Sequence, residues 1–161
     1  MANGRAGKMI PLWLKVFFIA MLPVSELRGA IPFGIANGLP LWITLFISIL
    51  GNMLPVPFIL IFLHPVERFL RRWKFWNNLM DKIFEYTRRK TKKSIEKWES
   101  LALILFVAVP LPVTGAWTGS LAAYLFGLDF KKSMACIFTG VLIASVIVTI
   151  ATLAGIKLLG I

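Results

Sequence analysis

The chain has 161 residues, 58% of them hydrophobic and only 16% charged, with a formal net charge of +11; its mean hydropathy is +0.82. Soluble domains run nearer half apolar with about a quarter charged residues, so the composition excludes an ordinary soluble domain and points to a single integral membrane domain. The basic excess raises nucleic-acid binding, but no RNA- or DNA-binding signature accompanies it, and no such partner is expected.

In chain order, residues 1–24 resemble the start of a signal peptide, with Arg5, Lys8 and Lys15 ahead of the short apolar run Val16–Leu22. No A-x-A-type cleavage site follows, and the segment is expected to belong to the mature protein. It opens the first of four apolar stretches, Met9–Ser25. The others are Leu39–Leu63, Leu101–Leu128 and Ser133–Ile161. A spanning helix needs about 20 apolar residues, so the second and fourth are predicted to cross, the second kinked at Pro55 and Pro57.

The first and third stretches are interrupted. The first runs into "PVSELRGAIPFGIANG", residues 23–38, and the third contains "VPLPVTGAWTGS", residues 109–120. Proline cannot donate a backbone hydrogen bond and glycine loosens a helix. Irregular backbone at bilayer depth survives only where protein or a wet cavity surrounds it. Each broken stretch is therefore predicted to be a re-entrant hairpin, the alternative being a proline-kinked spanning helix. The order of parts recurs: apolar arm, Pro/Gly motif, apolar arm, Gly-Leu turn, long helix. Gly29-Ala30 aligns with Gly115-Ala116, Gly38-Leu39 with Gly127-Leu128, and Gly51 with Gly140. Such internal repeats mark transporter folds with a site at broken helices near the midplane.

The predicted fold is thus an all-α integral membrane protein made of two inverted repeats, residues 1–63 and 100–161. Each is a re-entrant helical hairpin plus one long transmembrane helix, and a basic amphipathic interfacial connector, residues 64–99, joins them. The connector holds eleven of the eighteen basic residues. Val66, Phe69, Leu70, Trp73, Trp76, Met80, Ile83 and Phe84 form an apolar stripe at helical spacing. Arg71, Arg72 and Lys74 beside it are candidates for anionic lipid headgroups, although a plain topology anchor reads the same way. The hairpin topology gathers thirteen basic residues on the connector side. The positive-inside rule makes that side cytoplasmic and the protein a multi-pass inner-membrane protein. Four full spans would instead put Lys131-Lys132 outside.

Glu26 and Arg28 are the residues that composition least explains. An isolated charge at bilayer depth costs on the order of 3 kcal/mol, so the two either pair or face water. Glu26 has the chemistry of a proton or cation carrier, and Arg28 that of an anion clamp; a structural ion pair pinning the hairpin is the bland reading. Backbone freed at Gly29 and Pro32 could add ligands. The second motif is uncharged, with hydroxyls at Thr114 and Thr118, a proline at Pro112, and the G-x-x-x-G pair Gly115 and Gly119, which lets backbones approach closely. Trp117 is placed to pack between the motifs, and Asn52 either lines the same place or caps and packs. Asp129 reads as a helix N-cap, His64 as an interfacial residue, and Cys136 as a buried, inert thiol. The sequence has no His/Cys metal spacing, no nucleophile–base pair and no phosphate loop, so neither catalysis nor a cofactor or metal is expected.

"SELRGAIP" and "PLPVTGAWTG" together resemble the small multi-drug export protein family, over nearly the whole chain. That family looks similar, at a distance, to the DedA (VTT-domain) superfamily. The resemblance implies two opposed hairpins and transport of polyprenyl-phosphate-type lipids or drugs with proton dependence. Glu26 and Arg28 match the first motif's charges, and Pro112, Thr114 and Gly115 the second motif. The functional arginines that DedA-type proteins carry in the second half have no counterpart at this second motif, where only Lys131-Lys132 lie nearby. The reading is a membrane transporter whose small-molecule or lipid substrate binds between the hairpin tips, set against a non-transporting structural or partner-binding membrane protein. A chain this small is compatible with a homodimer.

Overall fold

The computed structural model describes residues 10–70, 93–111 and 114–159. Arg71, Arg72, Lys74 and most of the connector lie outside the described residues, as does Pro112. The regular structure of the described residues is all helix, without strands: α1 (Leu12–Met21), α2 (Glu26–Ala36), α3 (Leu41–Met53), α4 (Pro55–Leu70), α5 (Lys93–Ala108), α6 (Ala116–Leu125) and α7 (Phe130–Leu159).

The breaks fall where proline and glycine chemistry puts them. Helix α1 stops ahead of Pro23, and α5 ahead of Pro110. At the expected Pro55 kink, α3 ends at Met53, Leu54 donates to the Leu50 carbonyl, and α4 begins with Pro55. Proline suits that first position because its missing N–H has no helical partner there. Among the described residues, two segments are long and apolar enough to cross a membrane, Leu41–Leu63 with mean hydropathy 2.2 and Phe130–Leu158 with 2.5. Three arms are short: α1, α2 and α6 have 10, 11 and 10 residues, about 15 Å each at 1.5 Å per residue. That is about half the ~30 Å hydrocarbon layer; α5, with 16 residues, reaches about 24 Å.

The same local devices recur 89 residues apart. After α2, the Gly38 N–H donates to the Ile35 carbonyl and the Leu39 N–H to Gly34; after α6, Gly127 donates to Tyr124 and Leu128 to Ala123. Both pairs form a Schellman stop, and Gly38 and Gly127 hold its left-handed position at φ +80° and +70°. The hydroxyl of Thr44 then returns to the Leu39 carbonyl and that of Ser133 to Leu128. Gly51 sits against the Phe17 carbonyl and Ala20 of α1, as Gly140 sits against the Ile104 carbonyl and Val107 of α5. These are the two Gly-Leu turns and the Gly51/Gly140 pair anticipated from the sequence.

Packing joins the halves crosswise. Helix α1 lies on α2 and α3, and α5 on α6 and α7, while α2 reaches across to α7 and α6 across to α4. The central core contains Leu27, Ile31, Val56, Leu103, Val107, Ile137 and Val141. A smaller cluster of Val16, Ala20 and Ala30 ties α1 to α2. Large apolar residues such as Trp42, Phe46, Phe58, Phe62, Val146 and Ile150 face outward, whereas Glu26, Thr44, Ser48, Asn52, Ser120, Ser133 and Ser145 are buried. An apolar surface this extensive suits lipid contact.

Candidate functional site

Glu26 starts α2 after a turn in which its N–H donates to the Leu22 carbonyl at 3.0 Å. Its backbone is left-handed, with φ +44°, and it is the non-glycine residue with positive φ among those described. Such a conformation costs on the order of 1–3 kcal/mol and persists where surroundings over-determine it. The surroundings here belong to the second motif. Glu26 is only 4% exposed, and its Oε1 accepts from the Trp117 N–H at 3.5 Å. That contact is long for a hydrogen bond, so charge–dipole attraction carries much of it.

The position explains the attraction. Trp117 lies in the first turn of α6, whose N-cap is Gly115 with no side-chain cap of its own. The first N–H groups of a helix lack intrahelical partners and its N-terminus is electropositive. Glu26 therefore caps α6 from 91 residues away. Gly115 makes this approach feasible: a Cβ there would overlap Glu26 Oε2, and its φ of +153° is one that glycine adopts freely.

Arg28 makes the second crossing. Its Nη2 donates to the Thr114 carbonyl at 2.9 Å, between positions 86 apart, the same spacing that aligns Gly29 with Gly115. Trp117 adds a third, its Nε1 donating to the Met21 carbonyl at 3.2 Å. Each charge of the first motif thus has a partner in the second.

Glu26, Arg28, Asn52, Thr114 and Gly115 line one small cavity, closed by Leu27, Val107, Pro110, Val141 and Val148, with a volume of about 10 Å³. That is room for about one water, far below the ~300 Å³ of a drug-sized site. A larger cavity of about 330 Å³ lies between α4, α6 and α7, lined by Leu60, Ile61, Tyr124, Leu128, Phe130 and Ser133.

The remaining candidates fall differently. The Thr114 hydroxyl is engaged within its own turn, donating to the Val109 carbonyl and accepting from the Leu111 N–H at 3.0 Å. The Thr118 hydroxyl turns to the Gly115 carbonyl of its own helix. Thr114 meets Arg28 through its backbone carbonyl, and both threonine hydroxyls are engaged locally. Gly29 packs on Ser25 and Ile19, and Pro32 lies inside α2; neither lines the cavity. Gly119 lies against Val107, where a Cβ would overlap it. Cys136 is buried. The Asp129 main-chain carbonyl accepts from the Ser133 N–H at 2.8 Å, which puts Asp129 at the N-cap position of α7. Among the described residues no group of His, Cys, Asp or Glu could hold a metal. Sequence reasoning passed over Thr44 and Ser48, whose fourfold spacing with Asn52 in an apolar run was the available signal.

Comparison with family models matches residues 26–147 to the family described as "Putative small multi-drug export protein". The match covers most of the chain, and the chain belongs to that family, a membrane protein family concerned with multidrug export. Comparisons with curated proteins and with solved structures find no match.

Proposed function

We propose that this member of the small multi-drug export protein family is a proton-coupled exporter of the inner membrane. Two inverted repeats meet through re-entrant hairpins, and the substrate is bound and released as the hairpin tips close and part. The observation that carries the reading is the reciprocal seating of the motifs, with Glu26 on the N-terminus of α6 and Arg28 on the Thr114 carbonyl. In a two-fold arrangement, a residue touching its own counterpart lies at the axis, and Arg28 touches the counterpart of its repeat. Arms of about 15 Å, as in α1, α2 and α6, cannot cross a ~30 Å hydrocarbon layer, and α5 at about 24 Å also falls short of it, which supports hairpins that turn within the layer. The connector, residues 64–99, faces the cytoplasm in this topology.

The chemistry supplies a latch. An ionised Glu26 is attracted to the electropositive start of α6, an interaction of about 0.3–2 kcal/mol depending on burial. Protonation removes the charge and most of that attraction, so proton uptake loosens the tip contact. With the tips together, the cavity between them holds about 10 Å³, which suits a closed state. Parting them frees Arg28 for an anionic headgroup, as in a polyprenyl-phosphate-type lipid, or Glu26 for the amine of a cationic amphipathic drug. The 330 Å³ cavity is large enough for the apolar body of such a molecule.

Reconstitution tests the reading. Proteoliposomes containing the wild-type chain, Glu26→Gln or Arg28→Ala are loaded with cationic dyes or short-chain polyprenyl phosphates under a pH gradient. Gradient-driven movement of one of these, lost in both variants, supports export. No movement of either class by wild type, with both variants thermally unstable, favours a structural or partner-binding membrane protein.

A further inference from the structure

Helix α3 presents Trp42, Phe46 and Leu50 outward, yet its buried face carries Thr44, Ser48 and Asn52, none more than 1% exposed. A four-residue spacing sets these side chains in line, about 6 Å apart. The Thr44 hydroxyl donates to the Pro40 carbonyl at 3.1 Å. Ser48 Oγ and Asn52 Oδ1 have no hydrogen-bond partner among the described residues. Leaving a buried polar atom unpaired is unfavourable, and water is its usual partner when protein supplies none. The line ends at the cavity that Asn52 shares with Glu26 and Arg28, which has room for about one water.

The second half provides an internal comparison. Eighty-nine residues on, the same face of α7 carries Ser133, Ile137 and Val141, also no more than 1% exposed. Apolar side chains fill two of the three equivalent places, Ile137 opposite Ser48 and Val141 opposite Asn52, so burial there does not itself demand polar groups. The unbroken polar run at these three places belongs to α3, and it runs from the Gly38–Leu39 turn toward the buried carboxylate.

We propose that Thr44, Ser48 and Asn52 line a hydrated path along α3 that delivers protons to Glu26, with one water held between Asn52 Oδ1 and the carboxylate. The proposal deepens the exporter reading and rests on it for the use made of the proton. A hydronium arriving along the path leaves its water behind as an O–H bond forms on a Glu26 carboxylate oxygen; the reverse step returns the proton. The charged group facing Glu26 is Arg28 of its own helix. From α3, α6 and α7 the facing residues are Asn52, Trp117, Val141 and Ala144, all uncharged.

The test uses the full chain and infrared difference spectroscopy after a pH jump, with the Glu26 carboxyl band assigned by its loss in Glu26→Gln. The variants are Ser48→Ala alone and with Asn52→Val, which copies the apolar filling of α7. The path predicts a carboxyl band shifted by Asn52→Val and protonation about tenfold slower in the double variant, with thermal stability unchanged or raised. A band and rate matching wild type overturn the proposal. So does a fall in stability that accompanies the slowing, which would make the line structural, and so does a wild-type spectrum without a titrating Glu26 band. Spectra as predicted in a protein that moves no substrate support the path and count against export, so the two failures are distinguishable.

Discussion

Gly115→Ala probes the meeting of the two motifs most sharply. The added methyl would overlap Glu26 Oε2 and lie 2.6 Å from Oε1, at a backbone φ of +153°. The conformation alone costs an alanine about 1–3 kcal/mol. Displacing the carboxylate from α6 adds the loss of its charge–dipole attraction, about 0.3–2 kcal/mol. The expected total is on the order of 1–5 kcal/mol, a sizeable part of the 5–15 kcal/mol that typically holds a domain together. Gly127→Ala is the control: its φ is +70° but nothing lies within 4 Å of the added atom, so only the backbone term of about 1 kcal/mol applies. Denaturant unfolding in detergent measures both, within a double-mutant cycle pairing Gly115→Ala with Glu26→Ala. Removing the carboxylate makes room for the methyl, so the cycle should show a coupling of about 1–3 kcal/mol. Equal effects of Gly115→Ala and Gly127→Ala, with no coupling to Glu26, would refute the proposed seating.

Three further substitutions test its surroundings. Arg28→Lys should fail to replace arginine, because a shorter-headed single-point donor does not reproduce the guanidinium's fixed fork; unfolding should show a loss of about 1–2 kcal/mol, and a wild-type midpoint would contradict the Arg28–Thr114 contact. Trp117→Phe removes the Nε1 bond to the Met21 carbonyl while keeping the ring, for a loss of about 1 kcal/mol by the same measurement. Gly140→Ala places a methyl 2.6 Å from Val107 Cβ and 3.0 Å from the Ile104 carbonyl, whereas Gly155→Ala meets nothing within 4 Å. Thermal unfolding should therefore fall for Gly140→Ala and hold or rise for Gly155→Ala, where alanine gains up to about 1 kcal/mol of helix propensity.

Much of the backbone was legible because its causes are local. Pro23 and Pro110 follow the ends of α1 and α5, although Pro32 sits inside α2, and a Gly-Leu pair after an apolar helix encodes a Schellman stop. Gly51 and Gly140 were legible as a matched pair, although what each packs against was not. The site was legible as a set of residues rather than as contacts. Two charges two positions apart suggest mutual pairing, and nothing local announces that Glu26 caps a helix begun 90 residues later or that Arg28 seeks a peptide carbonyl. The Thr114 hydroxyl was ambiguous from sequence, since threonine beside a glycine serves its own turn as readily as a ligand. Asn52 was ambiguous because one amide in an apolar run signals either packing or a site. Its alignment with Thr44 and Ser48 becomes informative once α3 is known to bury that face.

The central claim is that two interrupted arms turn back at mid-depth and touch. Spin labels at Val24 and Leu111, exposed residues in the two turns, test it directly in lipid vesicles by power saturation with oxygen and a nickel chelate, together with the distance between them. The account predicts both labels near the bilayer centre and close to one another. Labels at the headgroup level, or on opposite faces of the membrane, would contradict it.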